Sequence, residues 1–209
     1  WITHPKYDIS LPKNHKFTAS KFSDLFNELK SKKFFSNSTI LEPQKASVED
    51  LEITHDKDYI LKIKNGTLTE KEIRRLGFKW SETLSNRSFL AVNGTLLTCR
   101  EALKNGVANH LAGGTHHAHK SFGSGYCVFN DIAYASQTLI KEKIINKVLI
   151  IDLDVHQGDG TAEILKNDKN IFTCSLHCKN NFPFRKSKSD IDVELDDNLE
   201  DDEYLEILN

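Results

Sequence analysis

The 209-residue sequence has no methionine, no C-x-x-C pair and no apolar run near the roughly 20 residues that a bilayer-spanning helix requires. The first of these absences, with an opening residue that is not methionine, suggests a fragment. The same expectation comes from "DDNLEDDEYLEILN", which stops inside what reads as an acidic amphipathic helix. The absence of C-x-x-C spacing leaves Cys99, Cys127, Cys174 and Cys178 as reduced thiols rather than a disulfide frame or structural zinc cluster. "CSLHC" at 174–178 invites a metal reading, weighed against buried thiols near a strand end. The opening "WITHPKYDIS" lacks the basic-then-apolar layout of a signal peptide, so a cytoplasmic protein is expected. Charge of one sign is missing too: 28 basic and 30 acidic residues give a net charge of −2, with no basic footprint for nucleic acid or an anionic membrane.

What is present is an apolar fraction of 38%, enough for one domain over residues 1–209. "WITH" before Pro5 suggests a short first strand. Phe22, Leu25, Phe26 and Leu29 recur at helical spacing behind a Thr18 or Ser20 cap. Two short helices between 47 and 77 start at a Ser47 cap and close at Gly66 and Gly77, and a longer one runs from Ser81 to a stop at Gly106. Gly94 marks close packing within it. A glycine-rich loop at 113–125 leads to a helix capped by Asn130 or Asp131. "KVLIIDLDVH" and "NIFTCSLH" read as strands covered on both faces, with the helix "DGTAEILKN" between them. Strand, helix, strand points to a parallel α/β sheet whose sites lie beyond the carboxyl ends of its strands.

Alternation along the first of those strands puts Asp152, Asp154 and His156 on one side, a normal oxygen and nitrogen set for Zn²⁺. They could instead cap the next helix or form a polar network. Two carboxylates behind "KVLII" need a cation or a proton to coexist, which favours a divalent metal. His116 and His117 pose a second choice, between exposed loop residues and a pair suited to acid–base work. Gly113, Gly114, Gly123 and Gly125 permit the bent backbone that would aim both rings at one site.

The segments "HPKYDISLPKNHKF", "GGTHHAHKSFGSGYCVFND", "IDLDVHQGDGT" and "CSLH" occur in the order seen in the zinc-dependent histone deacetylase family, which the chain resembles over nearly its whole length. The wording is similar to bacterial members near the class IV branch. The resemblance implies the arginase/deacetylase fold, a three-layer α/β arrangement of a parallel sheet flanked by helices, here cut before its last strands. It implies His117 as general base and then acid, His116 as its electrostatic partner, and Asp152 and Asp159 behind the two rings. Asp154 and His156 become two zinc ligands. Asp152, Asp154, His156, Ser175 and Leu176 resemble a structural monovalent-cation site, with K⁺ as the candidate ion. Gly125, Tyr126 and Phe182 match a narrow acyl-lysine channel.

The family's third zinc ligand and its carbonyl-polarising tyrosine lie in later glycine-rich segments that find no match here, so this chain alone is expected to be inactive. The implied reaction is hydrolysis of N-acetyl-lysine or a related N-acyl amine, with a protein or small-molecule substrate and no nucleic acid or membrane partner. Alternatives are an acetylpolyamine or small N-acyl amide amidohydrolase, and a non-catalytic module that binds acyl ligands. A binuclear manganese ureohydrolase would want an aspartate where Gly158 stands.

Overall fold

A computed structural model describes residues 1–209. Helices fill the first two thirds: α1 (Lys21–Ser31), α2 (Val48–Leu51), α3 (Lys57–Asn65), α4 (Glu70–Leu76), α5 (Glu82–Asn105) and α6 (Asp131–Lys141). Then come β1 (Val148–Asp152), α7 (Asp159–Leu165), β2 (Ile171–Cys178), β3 (Ile191–Leu195) and α8 (Asp201–Leu208). The single helix expected from Ser47 to Gly66 is two, α2 and α3, separated by a turn over 52–56; the outer expected boundaries are visible as chemistry. Ser47 and Asp50 form a reciprocal capping box on α2, and Ser81 accepts from the Leu84 amide at the start of α5. Gly66 and Gly77 end α3 and α4 at φ of 72° and 87°, a backbone region that a side chain would disfavour. Ser20 occupies the cap position of α1, but its hydroxyl binds the Asp24 carboxylate rather than a helix amide.

The main core gathers around α5, where Phe89, Val92 and Leu96 meet Leu51, Ile60 and Phe129. Gly94 packs closely, as expected: a Cβ there would stand 2.5 Å from both Tyr7 Oη and His110 Nε2. No helix is long and apolar enough to cross a membrane.

The sheet is parallel in the order β1-β2-β3, with Asp152 opposite Ser175. Two expectations need correction, and one element is new. "WITH" is no strand; Ile2 makes isolated bridges to Leu41 and His110, and Pro5–Tyr7 turns as a 3-10 helix under a His4 cap. β3 was not foreseen, because two of the five residues of "IDVEL" are charged and it lacks a continuous apolar run. Finally, β1 is not covered on both faces. Ile150 packs with Ala133, Leu165 and Ile171 beneath α6 and α7, whereas Leu149 and Ile151 are 61% and 57% exposed because no element lies over that side.

Candidate active site

β1 ends at Asp152, and the chain then bends away from the sheet toward α7. Each carboxylate shapes the bend by accepting from the amide two residues on: Asp152 Oδ1 from Asp154 N at 3.0 Å, and Asp154 Oδ1 from His156 N at 2.8 Å. The side chains expected on one side of a strand are therefore placed by turns. Asp154 Oδ1 lies 3.1 Å from His156 Nδ1, and both residues line a cavity of about 510 Å³.

His116 and His117 line the same cavity with ring centroids 4.1 Å apart. Each is held through Nδ1 by its own carboxylate, His116 by Asp152 and His117 by Asp159, both at 2.6 Å. Asp159 reaches His119 Nε2 as well, at 3.0 Å, a partner that the sequence did not disclose. Burial is the largest single influence on His116 and opposes its charge, but the hydrogen bond to Asp152 and the charges of Asp152, Asp154 and Asp159 together outweigh it and raise the ring's pKa above the usual imidazole value. His117 shifts the other way: burial, helped by the charges of His116 and His156, prevails over the bond to Asp159. For Asp159, burial works against ionisation, yet the two imidazoles prevail and hold the carboxyl at about 2. The result is one imidazole disposed to carry charge beside one disposed to stay neutral, the separation that acid–base pairs exploit.

Gly125 and Tyr126 both adopt positive φ, 52° and 66°. A Cβ on Gly125 would press on His117 Cδ2 at 2.7 Å, so glycine lets the loop lie directly on the ring. Phe182 stands edge-on to His117 at 4.8 Å and to His156 at 5.9 Å. The Tyr126 ring packs over Gly77 and against Phe17 and Phe78, and forms another part of the cavity wall. Gly158 leaves no room for a carboxylate, since even a Cβ there would run into Asp152 Oδ2 and the His116 ring.

The family model for the histone deacetylase domain matches residues 15–209. The chain belongs to the histone deacetylase family. It is 43% identical over 207 residues to an uncharacterized protein of Picosynechococcus sp., covering 99% of this chain and 69% of that protein. Histone deacetylase 2 of Arabidopsis thaliana is 31% identical over 221 residues, covering 100% of this chain and 57% of that protein. The acetoin utilization protein AcuC of Staphylococcus aureus is 33% identical over 180 residues, which are 81% of this chain and 46% of AcuC. A crystal structure of the HDA15 HD domain superposes with a TM-score of 0.76 at 19% identity, covering 93% of this chain and 60% of that one, and shares its fold. The chain thus spans about half to two thirds of the length of these relatives.

Two donors at about 2.0–2.2 Å from a tetrahedral zinc ion would stand roughly 3.3–3.6 Å apart. The Asp154–His156 separation of 3.1 Å is a few tenths of an ångström short of that, and the oxygen and nitrogen donors suit the ion. No three His, Cys, Asp or Glu side chains are arranged to hold a metal ion between them, so these two residues form a partial set. Of the expected monovalent-cation residues, Ser175 lies opposite Asp152 in the sheet, but its hydroxyl is paired with His177 Nδ1 at 3.0 Å.

Sequence reasoning read Asn130 and Asp131 only as a helix cap. Asn130 does cap α6, its Oδ1 accepting from Ala133 N, but the two residues also hold the loop that carries the imidazoles. Asp131, 1% exposed, accepts from Gly114 N at 2.9 Å, from Thr115 N at 2.7 Å and from the hydroxyls of Thr115 and Thr95. Asn130 Nδ2 donates to Ala118 O at 3.1 Å and to His116 O at 3.4 Å. Asn130 N in turn donates to His55 Nε2, while His55 Nδ1 donates to the His119 carbonyl.

His55 is thereby locked as a neutral imidazole, and burial pushes its pKa down to about 4. Burial, aided by the Arg87 charge, does the same to His110. Below pH 6.5 the unfolded chain takes up protons that these rings refuse in the folded state, so stability falls as pH falls. We expect a lower urea midpoint at pH 5 than at pH 7, with a loss of about 2 kcal/mol from His55 alone. An unchanged midpoint would show that His55 is free to protonate in place.

Proposed function

We propose that the full-length parent of this chain hydrolyses N-acyl amines as a zinc-dependent amidohydrolase of the cytoplasm, acting on N-acetyl-lysine side chains or on related small N-acyl amines. The observation that carries this reading is the pair of adjacent imidazoles, each tied through Nδ1 to a separate carboxylate at 2.6 Å, beside Asp154 and His156. Family membership supports the same chemistry.

Zinc held in part by Asp154 and His156 supplies Lewis acidity toward an acyl carbonyl and toward water. The chain's own residues do the rest. Asp159 fixes His117 with its proton on Nδ1, which leaves Nε2 free to take a proton from the attacking water and return it to the departing amine. His116, charged through Asp152, favours the negative charge that develops on the substrate. Gly125, Tyr126 and Phe182 line an aromatic slot suited to the apolar stem of a lysine or polyamine. A structural K⁺ near Asp152, Asp154, His156, Ser175 and Leu176 belongs to the same proposal.

A panel of acetyl-lysine peptide, acetylpolyamine and small N-acetyl amides, assayed on the full-length parent with zinc and again after chelation, tests the reading. Hydrolysis of at least one substrate, lost on chelation and restored by zinc, is expected. Binding without turnover at saturating zinc would make this a non-catalytic acyl-ligand module, and turnover indifferent to chelation would remove zinc from the scheme.

A further inference from the structure

The loop between β2 and β3, residues 179–190, carries Phe182 to the cavity wall. Its two ends are tied to the sheet. Lys179 N donates to Leu195 O at 2.8 Å, and Asp190 Oδ2 accepts from the amide and hydroxyl of Thr173 at 2.8 and 3.0 Å. Between those ends most bonds stay inside the loop: Phe182 N donates to Asn181 Oδ1, and Lys186 Nζ to the carbonyls of Asn181 and Pro183. Over residues 182–188, the hydrogen bonds that leave the loop all run from Ser187 to the side chain of Gln157.

Gln157 follows His156 directly and is 1% exposed. Its Oε1 accepts from Ser187 N at 2.8 Å and its Nε2 donates to Ser187 O at 3.0 Å, so it pairs both backbone groups as a neighbouring strand would. Nε2 also donates to Asp192 Oδ1 at 2.7 Å, and Asp192 Oδ2 accepts from Ser189 N at 2.9 Å. Both donors and the acceptor of the amide are in use, which fixes its orientation. A carboxylate there would face the Ser187 carbonyl and Asp192 with no hydrogen to give. Phe182, five residues before Ser187, stands edge-on to His117 and His156, and a Cβ on Gly125 would lie 3.1 Å from its ring. We propose that Gln157 is a positioning residue that clamps this loop, holds Phe182 against the site, and so sets how tightly the slot closes on a substrate's stem.

This rests on the amidohydrolase reading and names the residue on which recognition of the stem depends. Gln157 is absent from the cavity wall and acts through Phe182. Without the clamp, Ser187 N and O lose their partners, and the loop regains them from water by moving outward. The consequence for a bound alkyl stem follows from the short range of dispersion. A gap of about 1 Å forfeits up to half of the attraction between a ring and the chain it covers. The imidazoles keep their own carboxylates throughout, so the loss falls on binding of the stem and spares the chemical step.

The test uses the full-length parent at saturating zinc, as wild type, Gln157→Leu, Phe182→Ala and the double variant. Two substrates are compared: N-acetyl-butylamine, whose stem fills the slot, and N-acetyl-methylamine, which has none. In Gln157→Leu we expect KM for the butyl amide to rise about fivefold with kcat within about twofold, and kcat/KM for the methyl amide to change less than about twofold. Phe182→Ala should raise the same KM, and adding Gln157→Leu to it should raise it no further, because the clamp then has no wall to place. Trypsin gives a readout that needs no turnover: cleavage after Arg185 and Lys188 should quicken severalfold in Gln157→Leu relative to other sites. Circular dichroism checks each fold; should Gln157→Leu not fold, Gln157→Asn, one methylene too short to reach Ser187, is read in its place. Equal losses on both amides, effects that add to those of Phe182→Ala, or unaltered cleavage of the loop would overturn the clamp. Hydrolysis without a stem-selective loss removes this inference and leaves the amidohydrolase. Faster cleavage of the loop, with no amide hydrolysed by wild type, removes the amidohydrolase and leaves the clamp.

Discussion

Replacing His117 by alanine in the full-length parent is expected to lower kcat for N-acyl amide hydrolysis by roughly 10²–10⁴-fold, the usual worth of a positioned general base. KM should move little, because the slot residues Gly125, Tyr126 and Phe182 remain. His119→Ala provides the control. His119 shares the Asp159 carboxylate but is absent from the cavity wall, so its loss should cost less than tenfold. The two substitutions disturb the same buried acid, and only one removes a ring that faces substrate. Equal losses would mean that the carboxylate's packing matters and the His117 ring does not. Kinetics of both variants under saturating zinc decide the matter.

Asp131→Ala should produce the largest loss of stability, about 3–5 kcal/mol, because it strands the Gly114 and Thr115 amides and two threonine hydroxyls around an emptied site. With a urea slope of about 2 kcal/mol per molar, the midpoint should drop by roughly 2 M. Asp131→Asn should fall between, since its amide oxygen can still accept from Thr115 while its NH₂ meets another donor. A midpoint within a few tenths molar of wild type for Asp131→Ala would mean that water replaces the carboxylate and that the loop needs no such anchor.

Much of this molecule is legible locally. Ser47, Ser81, Gly66, Gly77 and Gly106 mark helix ends because capping and positive φ are decided within a few residues. The strand-end group Asp152, Asp154 and His156 could be read for the same reason, although turns rather than strand alternation place it. The family resemblance paired each imidazole with the carboxylate that holds it. What stayed hidden is the three-dimensional meaning of ordinary residues. Nothing around Arg87 in sequence says that its side chain lines a cavity with Nε shielded and unpartnered. Nothing around Asp131 says that its carboxylate reaches back 16 and 17 residues. Nor does the apolar run of β1 reveal that Leu149 and Ile151 lack cover, since a strand's own composition does not specify what lies across the sheet.

The hold of Asn130 and Asp131 on the imidazole loop also bears on the order in which the site assembles. Asp131 closes a ring of 16 residues onto Thr115, whereas His117 must wait for Asp159, 42 residues away and across the first strand. Closing the longer loop costs about 1 kcal/mol more in chain entropy and needs the sheet as well. Local closure should come first, as it does wherever short-range contacts can form alone. During synthesis the two rings would be set side by side before either meets its carboxylate: placed, but not yet tuned.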